Sequence, residues 1–151
     1  MFKAQATTLV RRHVDDCFRF VADDFFHNYP RWSPEVLELT PLSRGPVRVG
    51  SLARQVRVDF GRRSADTFRV IALERGRRLT FEGISSPFLI DFRFATLDRQ
   101  TRLVFTFSLS RLDLWMRPFE RGIRRAAQEG AERVVDNLKG LIETDCAGGT
   151  G

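Results

Sequence analysis

The sequence predicts an α+β fold: a curved antiparallel sheet of about seven strands wrapped around a long C-terminal helix, with two short helices after the first strand. Three observations carry this. From residue 35 to 112 apolar and polar residues alternate with period two between closely spaced turn residues, the pattern of antiparallel strands with one buried face. From Trp115 to Glu143 the apolar residues follow a period near 3.6. Near the N-terminus, Val14, Cys17, Phe18 and Val21 recur at i, i+3, i+4 and i+7, one face of a helix.

Residues 3–12 read as the first strand, and the first helix follows over Val14 to Ala22. Asp15 and Asp16 lie in its first turn, where the helix dipole favours negative charge. A second short helix is expected over Asp24 to Asn28, ended by Pro30 and Pro34, since proline lacks an N–H and disfavours helix in the preceding residue. Val36 to Leu42 is the next strand. Leu52, Arg54, Val56, Val58 and Phe60 then alternate with Ala53, Gln55, Arg57 and Asp59, and the first set is taken as inward. Gly61-Arg62-Arg63 turns the chain, and Phe68, Val70 and Ala72 share one face. After the turn at Arg75-Gly76-Arg77, Leu79 and Phe81 continue the pattern. Phe88, Ile90, Phe92 and Phe94 form the next inward row. Asp98-Arg99-Gln100 turns into Leu103, Phe105, Phe107 and Leu109. The last helix is roughly 40 Å long, enough to cross the whole sheet, and Pro118 is tolerable in its first turn.

With 151 residues the chain is expected to form one domain, 1–144, followed by a disordered tail, 145–151. No apolar run approaches the ~20 residues that span a bilayer. The N-terminus shows no apolar signal core, so a cytoplasmic location is expected. Cys17 and Cys146 have neither a metal-ligand spacing nor the makings of a disulfide framework. The net charge is +6, and of 25 basic residues only Lys3 and Lys139 are lysines. The arginines fall in scattered doublets, which reads as a solvated surface and makes nucleic acid a poor candidate partner. Arg117, Arg121, Arg124 and Arg125 crowd the start of the long helix, where cations oppose the dipole; a membrane surface stays open as a second partner.

No catalytic order of Ser, His and Asp, no paired inward carboxylates, no phosphate loop and no metal cluster is visible, and no cofactor is implied. The interior is what stands out. An inward row of Phe68, Phe81, Phe92, Phe94, Phe105 and Phe107 faces a helix whose middle is small: Ala126, Ala127, Gly130 and Ala131. Glycine in a helix costs ~1 kcal/mol against alanine, so Gly130 is read as thinning the helix face, either for close packing or for a ligand. Ile123 and Ala127 complete that face, and Val56 and Val70 the wall opposite. Among polar groups, Arg54, Asp66 and Arg111 share faces with apolar rows near strand ends and are candidates to hold a polar end of a ligand. His27 is a further acid/base candidate, since histidine titrates near neutrality.

Several motifs in order carry a resemblance: Val21-Ala22-Asp23; Tyr29-Pro30-Arg31-Trp32-Ser33-Pro34; Gly45-Pro46-Val47 with Val49-Gly50; Arg77-Arg78-Leu79-Thr80-Phe81-Glu82; and Thr101-Arg102-Leu103-Val104-Phe105-Thr106-Phe107. Together, over residues 3–143, they resemble the SRPBCC (START-like) superfamily, and within it the bacterial polyketide cyclase/dehydrase-like group. The resemblance implies a helix-grip fold with a cavity between sheet and long helix for an apolar small molecule such as a lipid, polyketide or quinone. Phe25 and Trp32 would then stand at the cavity mouth. It implies no single activity. Binding or transport is the first expectation, a cyclase or dehydratase the alternative, and a protein, RNA or membrane interaction module the third. A monomer or homodimer is expected. The pair Phe25-Phe26, in Asp24-Phe25-Phe26-His27, departs from the group's usual polar or proline-containing turn and would either enlarge the apolar lid or mark a membrane or partner contact.

Overall fold

Seven strands form one antiparallel sheet in the order β1-β7-β6-β5-β4-β3-β2. The computed structural model describes residues 2–59, 61–112 and 114–146, with 114 and 115 described by backbone alone. The elements are β1 (Phe2–Val10), α1 (Val14–Phe18), a π-helical turn (Arg19–Asp23), α2 (Phe25–Trp32), β2 (Val36–Pro41), β3 (Leu52–Asp59), β4 (Arg62–Glu74), β5 (Arg78–Gly83), β6 (Phe88–Leu97), β7 (Gln100–Leu109), a 3-10 turn (Leu114–Phe119) and α3 (Glu120–Asp145). The first strand pairs with the last, so the α1–α2 segment and α3 lie over the same face of the sheet.

Local departures from expectation have local causes. The first helix loosens into π geometry after Phe18, a rare turn that re-aims the helical face. Pro30 does not end α2, which runs on to Trp32. It sits in the last turn of an eight-residue helix, so it removes one backbone bond, and burial of Tyr29 and Trp32 holds the turn in place. The start of the long helix is 3-10 around Pro118. Of the tail expected at 145–151, Asp145 is the last residue of α3 and Cys146 caps it; the rest lies outside the described residues.

The sheet faces follow from register. Phe68 lies opposite Ala53 and Gly83, Phe81 opposite Val70 and Ile90, and Phe92 opposite Leu79 and Phe105. This fixes the inward row of β3 as Ala53, Gln55, Arg57 and Asp59, the reverse of the sequence expectation. Arg54 and Val56 therefore point to the outer side. Phe60, expected inward beside them, lies outside the described residues. A bulge between Val70 and Ala72 likewise turns Ala72 outward and brings Leu73 opposite Leu79.

Two layers of apolar contact hold the grip closed. At one end of the sheet, Val10, Phe94 and Leu103 are buried with Cys17 and Phe18 of α1 and with Leu138 and Ile142 of α3. Burial pushes the Cys17 thiol up to about 11, so it stays a neutral apolar filler. In the centre, α2 inserts Phe25, Tyr29 and Trp32 against Phe68, Phe81 and Phe92. All six are at most 2% exposed, and burying each contributes roughly 1.5–3 kcal/mol. The buried stripe of α3 is Ala131, Val135, Leu138 and Ile142. Gly130 lies beside this stripe, not on it: a Cβ there would meet only the Arg133 guanidinium, at 3.7 Å.

Candidate functional site: the open end of the grip

The inner face is not sealed uniformly. Beyond the aromatic centre, toward the β5–β6 loop and the start of α3, the inward residues Phe88, Phe107 and Leu109 are only half-buried. Leu109 pairs with both Phe2 and Phe88, and Phe107 with Ala4 and Ile90, so these side chains form one strip across the strand ends. Ile123 and Ala127, half-buried on α3, belong to the same end, because α3 begins where β7 stops. This is where an apolar molecule could reach the interior.

Polar groups gather at this end on the inward row of β3. The Tyr29 hydroxyl donates to Gln55 Oε1 at 3.1 Å and accepts from Arg57 Nη1 at 3.2 Å. Arg57 also grips Asp59 through two bonds, of 2.8 and 3.0 Å. Gln55 is 1% exposed and Tyr29 2%, so α2 and β3 share a polar connection inside an aromatic core. Burial pushes the Tyr29 phenol up, with the Arg57 charge opposing, and it remains a proton-bearing donor. Burial alone would weaken the Arg57 cation, but the Tyr29 oxygen and Asp59 outweigh it and hold the guanidinium above its ordinary value. Asp66, opposite Gln55, accepts a short bond from the Ser86 hydroxyl in the β5–β6 loop. Deeper in, Trp32 Nε1 is a buried donor with no acceptor among the described residues.

The sequence-derived candidates divide accordingly. Phe25, Trp32, Phe68, Val70, Phe81, Phe92, Phe94 and Phe105 all lie in the buried core, Phe25 and Trp32 as central packing residues of the aromatic cluster. Phe107 and Ala127 pack against that core while remaining half-buried, and Ile123 stands at the open end. Arg54 is exposed on the outer side, and Val56, though buried, is outside the core cluster. Arg111 is exposed past the end of β7, and His27 is exposed on α2 near Asp145. The residues that sequence reasoning passed over are Gln55, Arg57 and Asp59, read as a solvent-facing row. The available signal was the hairpin itself: a two-residue connection between Asp59 and Arg62 pairs Phe68 with Ala53.

Similarity to known proteins agrees with this fold. Residues 1–143 match the family described as polyketide cyclase / dehydrase and lipid transport. The chain belongs to that family. No curated protein matches it in sequence. Among solved structures, TTHA0849 from Thermus thermophilus superposes with a TM-score of 0.77 at 15% identity, covering 97% of this chain and 100% of that one. The ZhuI aromatase/cyclase from Streptomyces sp. R1128 gives 0.76 at 17% identity, covering 99% and 98%. Ara h 8.0201 gives 0.62 at 10% identity, covering 95% and 98%. At such identities these likenesses establish the fold of this family member. Among the described residues no helix is long and apolar enough to cross a membrane, and no group of His, Cys, Asp and Glu could hold a metal ion.

Proposed function

We propose that the protein binds an apolar small molecule, of the lipid, polyketide or quinone class, through the open end of the grip, with a carbonyl or anionic group directed at Tyr29 and Arg57. The observation that carries this reading is the juxtaposition of the half-buried Phe88–Phe107–Leu109 strip with the buried Tyr29–Gln55–Arg57 connection. A pocket lined by apolar side chains with a few fixed polar groups is the usual build of a small-molecule site. Ile123 and Ala127 would form the helix side of the pocket, and Phe68 and Phe105 its inner wall.

A cyclase or dehydratase is the second reading. The pairing of a protonated phenol with a guanidinium favours it, since together they could polarise a carbonyl and, once the hydroxyl turns from Gln55, donate a proton to it. The ZhuI neighbour is an aromatase/cyclase, which adds support by analogy.

Two naphthalene probes test the binding reading: anionic 1-anilinonaphthalene-8-sulfonate and neutral N-phenyl-1-naphthylamine. Saturable binding of both is expected, weakened roughly tenfold by Ala127→Phe, which fills the helix side. Arg57→Gln should weaken the anionic probe selectively. Unchanged binding of both probes by variants with wild-type melting curves would overturn the assignment.

A further inference from the structure

The outer side of the sheet carries an unusual polar arrangement. Thr80 is 0% exposed and Asp91 8% exposed there, on a face that no other described element covers. Asp91 accepts bonds from the Thr80 hydroxyl, from Arg78 Nε at 3.2 Å and from Arg93 Nε at 2.9 Å. Arg78 and Arg93 stand directly opposite each other on β5 and β6. Both spend only Nε on Asp91 and Thr80, and their terminal Nη groups have no partner among the described residues. A buried carboxylate thus holds two guanidiniums side by side, on side chains 33% and 57% exposed.

These two arginines join two open hollows, of about 430 and 610 Å³, into one groove running from β1 to the β4–β5 turn. At ~4.8 Å between strands the groove is roughly 15 Å or more in length. Lys3, Arg77 and Arg102 extend it, and none of these has a charged partner among the described residues. Five cations therefore face two carboxylates, Glu74 and Asp91. The accessible apolar lining is half-buried Leu89 and Val104 and exposed Ala95. The groove lacks an outward aromatic on which bases would stack; the exposed Leu9 and Leu97 stand only at its Arg102 end.

We infer that this groove docks an acidic segment of a partner protein, whose carboxylates take the paired forks of Arg78 and Arg93. Arginine forks match carboxylates in bidentate geometry, and the groove is too open to enclose a small ligand. Asp91 is the positioning residue: it touches no partner atom but sets the direction of both guanidiniums. This site is distinct from the interior one and does not depend on it.

Fluorescence anisotropy with a short labelled glutamate-rich peptide provides the test, with melting curves for every variant. Arg93→Gln and the double change Arg78→Gln with Arg93→Gln should weaken binding by roughly tenfold or more, while Arg121→Gln, at an exposed site on α3, should not. Asp91→Asn discriminates further, because it makes the groove more positive. If Asp91 only lowers the local charge, Asn strengthens peptide binding; if it positions the arginines, Asn weakens it. Stronger binding by a folded Asp91→Asn protein, or no dependence on Arg93, would overturn the inference. So would a groove-dependent preference for oligouridine RNA, for phosphatidylglycerol vesicles, or for inorganic phosphate as a competitor of equal effect.

Discussion

The Tyr29 hydroxyl can be removed without disturbing its ring. In Tyr29→Phe the stack on Phe25 at 4.9 Å and the edge contacts to Phe68 and Phe81 persist, because they belong to the ring. What disappears is one donor to Gln55 and one acceptor for Arg57. Arg57 keeps its two bonds to Asp59, but the Gln55 acceptor is left in a site 1% exposed. A hydrogen bond contributes about 1 kcal/mol net, and a buried group left unpaired costs about 1–3 kcal/mol. The expected loss is therefore about 1–3 kcal/mol at neutral pH, read by urea unfolding with an unchanged m-value. The partner change Gln55→Met closes a cycle: the double variant should lose less than the two single losses added. The gap between wild type and Tyr29→Phe should also narrow as pH rises above about 10. The folded phenol is held above its unfolded value, so its contribution is complete below the unfolded pKa and is lost as pH climbs through the folded one. A loss below about 0.5 kcal/mol with no coupling to Gln55 would refute the claim that this connection joins α2 to β3.

Three further outcomes follow from the same geometry. Gly83→Ala should destabilise by about 1–3 kcal/mol, since its Cβ would fall 2.4 Å from the Ser86 carbonyl oxygen and 2.6 Å from the Phe88 ring; thermal melting reads it. Phe25→Ala should cost about 3–5 kcal/mol as a core truncation, whereas a lid residue at a cavity mouth would cost far less; denaturant unfolding separates the two. Asp91 is pushed up by burial but held below the usual carboxylate range by Thr80, Arg93 and Arg78. Its contribution is thus present above the unfolded value of about 4 and is lost as pH falls through the folded one, so acid titration of Asp91→Asn should show a shallower stability loss.

Much of this fold could be read from residue order because its strands bury one face and alternate cleanly. The rows Phe88-Ile90-Phe92-Phe94 and Leu103-Phe105-Phe107-Leu109 appear inward as expected. β3 could not be read that way. Both of its rows contain apolar residues, and its outer row, Leu52, Val56 and Val58, is the more hydrophobic of the two. The inward row is polar because it faces the Tyr29 hydroxyl and the open end, not the apolar centre. Local hydrophobicity ranks a strand's faces by water avoidance, and a site with polar work inside inverts that ranking. The bulge in β4 was equally hidden: one added residue at Ile71 turns Ala72 outward with no change in composition.

The position of α2 decides how much room the grip can offer. A helix that merely closed a mouth would leave its aromatics partly wet and the sheet's phenylalanines free to line a void. Here Phe25 meets Tyr29, Trp32, Phe68 and Phe81 at centroid distances of 4.9 to 6.0 Å, so the centre is occupied by the protein's own rings. Interiors packed this way yield little to small displacements. On the proposed reading, space for a ligand would be set at the remaining end, by Phe88, Phe107, Ile123 and Ala127. Moving α2 outward by a ring's width would exchange this aromatic core for a pocket.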